Sequence, residues 1–225
     1  MLKSFVIRQG WFTDAQKKAY ESLSPRYMLP VSFDQLSSSE EKLNYKDIFG
    51  NTGNVILEIG FGSGFATAEI AKANPEKNYI GIEVHKPGIG RLLWEIEKQN
   101  LNNIRIIEYD AVPVLEKIIA PESLDAVHVF FPDPWPKKKH HKRRLVQLPF
   151  TLTLAKCLKQ GGYLYMVTDW EDYALYALEE LSATEGLKNN YDGFADSQTW
   201  RPRTRFEQKG LDKEHIIREL YFTKG

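Results

Sequence analysis

Residues 130–150 read FFPDPWPKKKHHKRRLVQLPF and set three chemistries side by side. An apolar run ends at Asp133, an acid held between Pro132 and Pro134; Trp135 and Pro136 follow, and then a block of cations. Proline on both sides restricts the backbone of Asp133 and fixes where its carboxylate points. An acid so placed at a strand end suits a cationic or N–H-donating partner. Lys137, Lys138, Lys139, Lys142, Arg143 and Arg144 fall within eight positions, with His140 and His141 among them. Clustered Lys and Arg contact phosphates, each neutralised phosphate releasing counterions, and such contacts orient a nucleic acid without reading its sequence. A cation run by itself describes only a solvated face, and a Pro-rich segment only a loop. Their adjacency to the constrained acid is what points to a polyanion. Trp135 has two readings, a stacking platform for an unpaired base or a core side chain.

A second constellation lies upstream, in LEIGFGSGF at 57–65. Gly60, Gly62 and Gly64 allow a tight turn and close approach of the backbone to a ligand. A dinucleotide fingerprint would be G-x-G-x-x-G, with pyrophosphate against the following helix. Here Phe65 stands where the third Gly would fall, and Glu58 lies two residues before the first Gly. A carboxylate there repels pyrophosphate and suits an amino group, which disfavours the alternative of a dinucleotide oxidoreductase. The next apolar run ends in Glu83, placed for ribose hydroxyls, and the one after it in Asp110, placed for an adenine amino group. Three acids at successive strand tips describe a nucleoside without phosphates. S-adenosyl-L-methionine, with ribose, adenine, ammonium and sulfonium, fits.

The elements that must position these residues alternate. NVILEIG, NYIGIEV, NIRIIEYD, LDAVHVFFP and GYLYMVTDW read as strands. Helical patterns follow at FATAEIAKANP, 88–100, AVPVLEKII, roughly 144–159 and 171–184, the fourth ending at Gly161-Gly162. Strands alternating with helices predict a parallel sheet covered on both faces, and near-continuous apolar strands agree. HIIRELYF at 215–222 alternates as an antiparallel closing strand should. The expected fold is α/β, a doubly wound, mostly parallel, Rossmann-like sheet with an antiparallel C-terminal strand. Residues 1–53 lack sustained periodicity and read as an N-terminal extension with a short helix near 13–22, capped by Thr13 or Asp14; residues 54–225 form the ligand-binding domain.

The chain has 225 residues, 30 Lys and Arg against 30 Asp and Glu, and one cysteine, Cys157. That length supports one substantial domain, and the neutral total conceals a local positive pole at 137–144. A lone cysteine excludes an internal disulfide and fits a reducing compartment. No apolar run approaches the roughly 20 residues of a spanning helix, and MLKSFVIRQGWF has no signal-peptide core. The expectation is a cytoplasmic protein without membrane association. His85, His128 and His215 have no ligand spacing, and His140 and His141 sit among cations, so no metal is expected. Cys157 reads as a packing residue.

With these residues in place, the chain resembles the bacterial tRNA (guanine-N7-)-methyltransferase family. The motifs carrying the resemblance are SFVIRQG at 4–10, LEIGFGSG at 57–64, GIEVHKPGIG at 81–90, FFPDPWPKKKHHKRR at 130–144, TDWEDYA at 168–174 and TRFEQKG at 204–210. In the last, Arg205 and Lys209 stand where relatives often carry Lys and Arg. The resemblance implies a class I methyltransferase fold and methyl transfer from S-adenosyl-L-methionine to N7 of guanine 46 in the tRNA variable loop. It implies that Glu58, Glu83, Asp110 and Asp133 contact the cofactor and that Asp133 is the catalytic acid. Lys137, Asp169 and the run Thr204, Arg205, Phe206 and Glu207 would bind substrate, with Lys139, His140, His141, Lys142, Arg143 and Arg144 touching RNA. Both monomers and homodimers are compatible with it. Two other classes meet the same residues: a methyltransferase acting on another RNA, a protein or a small molecule, and an RNA-binding protein that has lost catalysis. TRFE is expected on a late loop folding over the bound nucleotide, its alternative being a surface loop that ends in a helix or strand cap.

Overall fold

The computed structural model describes residues 4–5, 11–31, 42–212 and 214–225, without the side chains of residues 205, 206 and 209. Most of SFVIRQG and the side chains of Arg205, Phe206 and Lys209 thus lie outside the described residues. The rest divides into two compact units, drawn from Ile7–Ala120 with Trp200–Pro202, and from Met1–Val6, Pro121–Thr199 and Arg203–Gly225.

The first unit carries β1 (Val55–Ile59), β2 (Asn78–Glu83) and β3 (Ile104–Glu108), paired in parallel as β1 with β2 and β2 with β3. All five residues of β1 are buried, Glu58 among them. Its helices are α1 (Asp14–Tyr27), α2 (Tyr45–Phe49), α3 (Phe65–Ala73), α4 (Lys86–Lys98) and α5 (Ala111–Lys117). Helix α1 begins as expected at Thr13, whose hydroxyl accepts from the Gln16 N–H while the Gln16 side chain returns to the Thr13 N–H, a capping box. It runs five residues past the expected end at 22, through Pro25. Packing overrides the propensity: Ala19 and Tyr27 are buried, and α1 lies along α4. Gly90 of α4 makes that approach possible, because a Cβ there would press on the Gln16 carbonyl oxygen. Beyond the helix, the Leu29 N–H donates to the Ile106 carbonyl at 2.8 Å, stitching the segment after α1 to β3.

The second unit carries β4 (Leu124–Phe130), β5 (Leu158–Thr168), β6 (Leu187–Asn189) and β7 (Arg218–Lys224), with α6 (Phe150–Cys157), α7 (Glu171–Ser182), α8 (Arg205–Leu211) and a 3₁₀ helix at Lys138–Arg143. Strand β5 is parallel to β4 and antiparallel to β7, which is antiparallel to β6. The helix expected at 144–159 is shorter, because Pro149 supplies no N–H and disfavours helical backbone at Leu148, so α6 starts at Phe150. It also ends earlier, since Leu158 already belongs to β5. Across the described residues the sheet order is β3-β2-β1-β4-β5-β7-β6, the doubly wound, mostly parallel arrangement with antiparallel C-terminal strands. No described helix is long and apolar enough to cross a membrane, and no group of three potential metal ligands occurs among the described residues. Cys157 is buried.

Candidate active site

In the first unit the turn after β1 places Gly60, Gly62 and Gly64 at φ of 73°, 59° and 69°, the left-handed region that favours glycine. A Cβ at Gly60 or Gly62 would meet nothing within 4 Å, so the turn opens onto free space. Gly88, in the GIEVHKPGIG motif, is required for another reason: a Cβ there would collide with the Gly62 carbonyl oxygen. The start of α4 therefore braces the glycine turn from behind.

Glu83, at the tip of β2, is held by three backbone donors: its Oε2 accepts from Gly62 N–H at 2.8 Å, and Oε1 from Val84 and His85 N–H at 2.7 and 3.0 Å. Oε2 keeps an acceptor position for a ribose hydroxyl. The register sets Glu108 of β3 beside Glu83. That second acid is occupied otherwise, accepting from the Tyr20 hydroxyl and lying 3.8 Å from the Lys86 ammonium. Tyr20 thus ties α1 to the strand tips, a contact that carries no local sequence signal. Asp110 caps α5, its Oδ1 accepting from Val112 N–H at 3.1 Å.

Glu58 is only 4% exposed. Burial pushes its carboxyl up to about 7, the Thr67 side chain beside it pulls the other way, and the Glu83 charge adds to the rise. The Thr67 hydroxyl, although close enough to act on Glu58, completes no hydrogen bond of ordinary geometry among the described residues. A buried carboxylate without a counter-ion is costly, and a cationic group from a ligand relieves that cost. An open glycine turn, the acids Glu83 and Asp110 at strand ends and the buried acid Glu58 are a donor set that fits S-adenosylmethionine.

In the second unit β4 ends at Phe130, and its continuation turns sharply. Phe131 and Trp135 adopt φ of 49° and 47°, a conformation costing bulky residues on the order of 1–3 kcal/mol each. The Asp133 segment is thus bracketed by two strained residues, and contacts hold it there. The Phe131 N–H donates to the Val167 carbonyl at 2.8 Å, and the Trp135 indole N–H to the Ser4 carbonyl at 3.0 Å. Trp135 is buried, with the Arg143 guanidinium 4.1 Å from its ring centroid and the His140 ring edge-on to it. Of its two sequence readings, the core side chain is the one observed; a base-stacking face is covered by Arg143.

The cation block winds as a 3₁₀ helix, in which residues three apart share a face. KKKHHKRR consequently becomes three stripes. Lys139 and Lys142 are exposed, with Lys137 and Lys138. His140 and Arg143 lean on Trp135. His141 and Arg144 turn towards α7, where both meet Asp172. Arg144, expected to touch RNA, has a side chain that is only 1% exposed. Its Nε–H donates to the Pro134 carbonyl at 3.0 Å, it pairs with Asp172, and the rings of Tyr173 and Tyr176 lie 4.9 and 5.0 Å away. The Arg144 hydrogen bond holds Asp172 below its ordinary carboxyl range. Partial burial, then the charges of Lys139, Arg143, Lys137 and Lys142, lower His140. His141 Nε2 lies 3.2 Å from an Arg144 nitrogen.

Asp169, just past β5, is 3.2 Å from His215 Nδ1. TRFE is not a loop: Thr204 is the N-cap of α8, its hydroxyl accepting from Glu207 N–H at 3.1 Å, while Glu207 Oε2 accepts from Thr204 N–H at 3.3 Å. Glu207 is buried in that capping box. The sequence signal was available, since T-x-x-E is a capping box in its own right. His215 and Asp172 had no such signal.

Fold and glycine turn together define a Rossmann-like domain of the class I methyltransferase type. A "Putative methyltransferase" family model matches residues 52–220. Among solved structures, the 16S rRNA methyltransferase KamB superposes with a TM-score of 0.61 at 13% identity, covering 83% of this chain and 95% of that one, a likeness of fold. A tRNA (guanine-N(7)-)-methyltransferase of Nitrosomonas eutropha is 51% identical over 224 residues, spanning 100% of this chain and 97% of the relative. One of Chromobacterium violaceum is 45% identical over 99% of this chain and 96% of its own length. The chain belongs to the tRNA (guanine-N7-)-methyltransferase family.

Proposed function

We propose that the protein transfers a methyl group from S-adenosyl-L-methionine to N7 of guanine 46 in the variable loop of tRNA. The observation that carries this reading is the full-length likeness to tRNA (guanine-N7-)-methyltransferases, and the buried, cation-seeking Glu58 supports it from the chemistry. Glu83 receives the ribose, Asp110 the adenine side and Glu58 the amino group, while the Gly60–Gly64 turn leaves room for the ligand's body. S-adenosylmethionine supplies a methyl group made electrophilic by its sulfonium.

Guanine N7 carries an in-plane lone pair, so no proton has to leave before attack. Catalysis therefore comes from alignment and electrostatics. Positive charge moves onto the base as the methyl arrives, and a carboxylate beside it stabilises that shift. Such a carboxylate also accepts from guanine N1–H and N2–H₂. Asp133 and Asp169 are the acids for this role, because Glu207 is engaged in capping α8. Asp133 acts by orientation and charge and not as a general base. The exposed Lys137, Lys138, Lys139 and Lys142 hold the RNA backbone, and His215 orients Asp169.

Nucleoside mass spectrometry of tRNA incubated with the protein and S-adenosylmethionine tests the reading. The expected product is 7-methylguanosine at a single variable-loop position. A different methylated nucleoside, or equal methyl transfer to RNase-digested tRNA, would overturn it.

A further inference from the structure

We propose that Arg144 is a positioning residue for the Asp133 loop and not an RNA contact; the proposal rests on the methyl-transfer reading above. The 3₁₀ periodicity turns residues 141 and 144 away from the stripe formed by Lys139 and Lys142. Arg144 is the largest of the fully buried side chains among the described residues. A guanidinium so enclosed is unavailable to a phosphate, and each contact it makes is internal. Nε–H holds the carbonyl of Pro134, the residue directly after Asp133. One terminal nitrogen, Nη2, reaches both Asp172 and His141, and the ring centroids of Tyr173 and Tyr176 lie 4.9 and 5.0 Å from the guanidinium carbon. Arg144 therefore links the loop that carries Asp133 to the first turn of α7.

The loop needs such a link. Phe131 and Trp135 sit in left-handed backbone on either side of Asp133, a conformation that persists only where surrounding contacts impose it. Pro134 has no N–H to donate, so its carbonyl is the one main-chain handle at that residue, and Arg144 holds it. The geometry is specific to arginine: lysine would keep the charge but lacks a planar fork able to serve a carbonyl and a carboxylate at once. Asp172 is the exposed end of the link, its side chain 63% accessible.

The experiment compares full-length wild type with Arg144→Lys, Asp172→Ala and Lys142→Ala. The readouts are the single-turnover methylation rate at saturating tRNA, tRNA Kd across a salt series, and hydrogen–deuterium exchange of peptides covering 130–136. For Arg144→Lys the rate should fall at least tenfold, with tRNA Kd and its salt slope as in wild type, and exchange should rise in 130–136. Asp172→Ala should follow the same pattern with a fall of at least threefold. Lys142→Ala should do the reverse, weakening binding and flattening the slope. An undiminished rate in Arg144→Lys overturns the proposal, and so does a loss confined to tRNA affinity with a lower salt slope. Should Arg144→Lys fail to fold, the exposed substitution Asp172→Ala decides alone, and an unchanged rate there overturns the proposal. If wild type makes no 7-methylguanosine, the reaction assignment fails, while exchange in 130–136 still supports or overturns the link.

Discussion

Removing the charge of Glu58 gives a test whose sign and size follow from its environment. The carboxyl lies in a fully buried strand, and its value rises from the ordinary 4.5 to about 7 in the unliganded protein. Between those two values the native state keeps a proton that the unfolded chain has released. Stability of the unliganded fold therefore declines as pH rises through that window, by about 3 kcal/mol in all at about 1.4 kcal/mol per pH unit. Glu58→Gln, which never ionises, should match wild type near pH 4.5 and unfold at higher denaturant above pH 7. Cofactor binding has the opposite dependence. An ammonium group facing Glu58 favours the ionised form, so affinity should climb by up to about tenfold per pH unit below 7 and level off above it. Isothermal titration calorimetry with S-adenosylmethionine from pH 5.5 to 8.5 measures this, and the Gln variant should bind weakly with a flat profile. A flat wild-type profile, or the same slope in wild type and variant, would refute the assignment of Glu58 to the amino group.

Three further outcomes are expected. Gly88→Ala forces a methyl group onto the Gly62 carbonyl; it should cost about 1–3 kcal/mol of stability in denaturant titration and weaken S-adenosylmethionine binding at least tenfold by calorimetry. Asp133→Asn should lower turnover at saturating tRNA by about 100-fold, while near-wild-type turnover would remove any important role for that charge. Lys139→Ala, at an exposed position, should lower the slope of log binding constant against log salt by up to about 0.9, the loss of one phosphate contact, in a filter-binding series.

Much of the fold was legible because the informative patterns are local. Apolar runs of NVILEIG and its successors, each followed by a helical pattern, prescribe parallel strands with crossovers whatever the surroundings, and β1 to β5 stand where those runs do. The glycine turn was equally readable, since positive φ at Gly60, Gly62 and Gly64 is what glycine is suited for. Helix ends were less so. Pro149 cut short the helix expected from 144, and burial of Ala19 and Tyr27 carried α1 beyond its expected end. The strand β6 at Leu187–Asn189 escaped notice because three residues show no alternation.

The sequence alone determined which chemistries are present: acids at strand tips, an aspartate between prolines, and a dense cation block. Their types and spacing survive any arrangement of the chain. Only the tertiary structure decided how those charges are used. It committed Glu108 to Tyr20, Glu207 to a helix cap, Arg143 to the face of Trp135 and Arg144 to Pro134 and Asp172. The physical reason is that a charge's role depends on what reaches it and on whether water does. Burial and partners separated by up to 131 positions in the chain, as for Trp135 and Ser4, are set by folding and leave no trace in local composition.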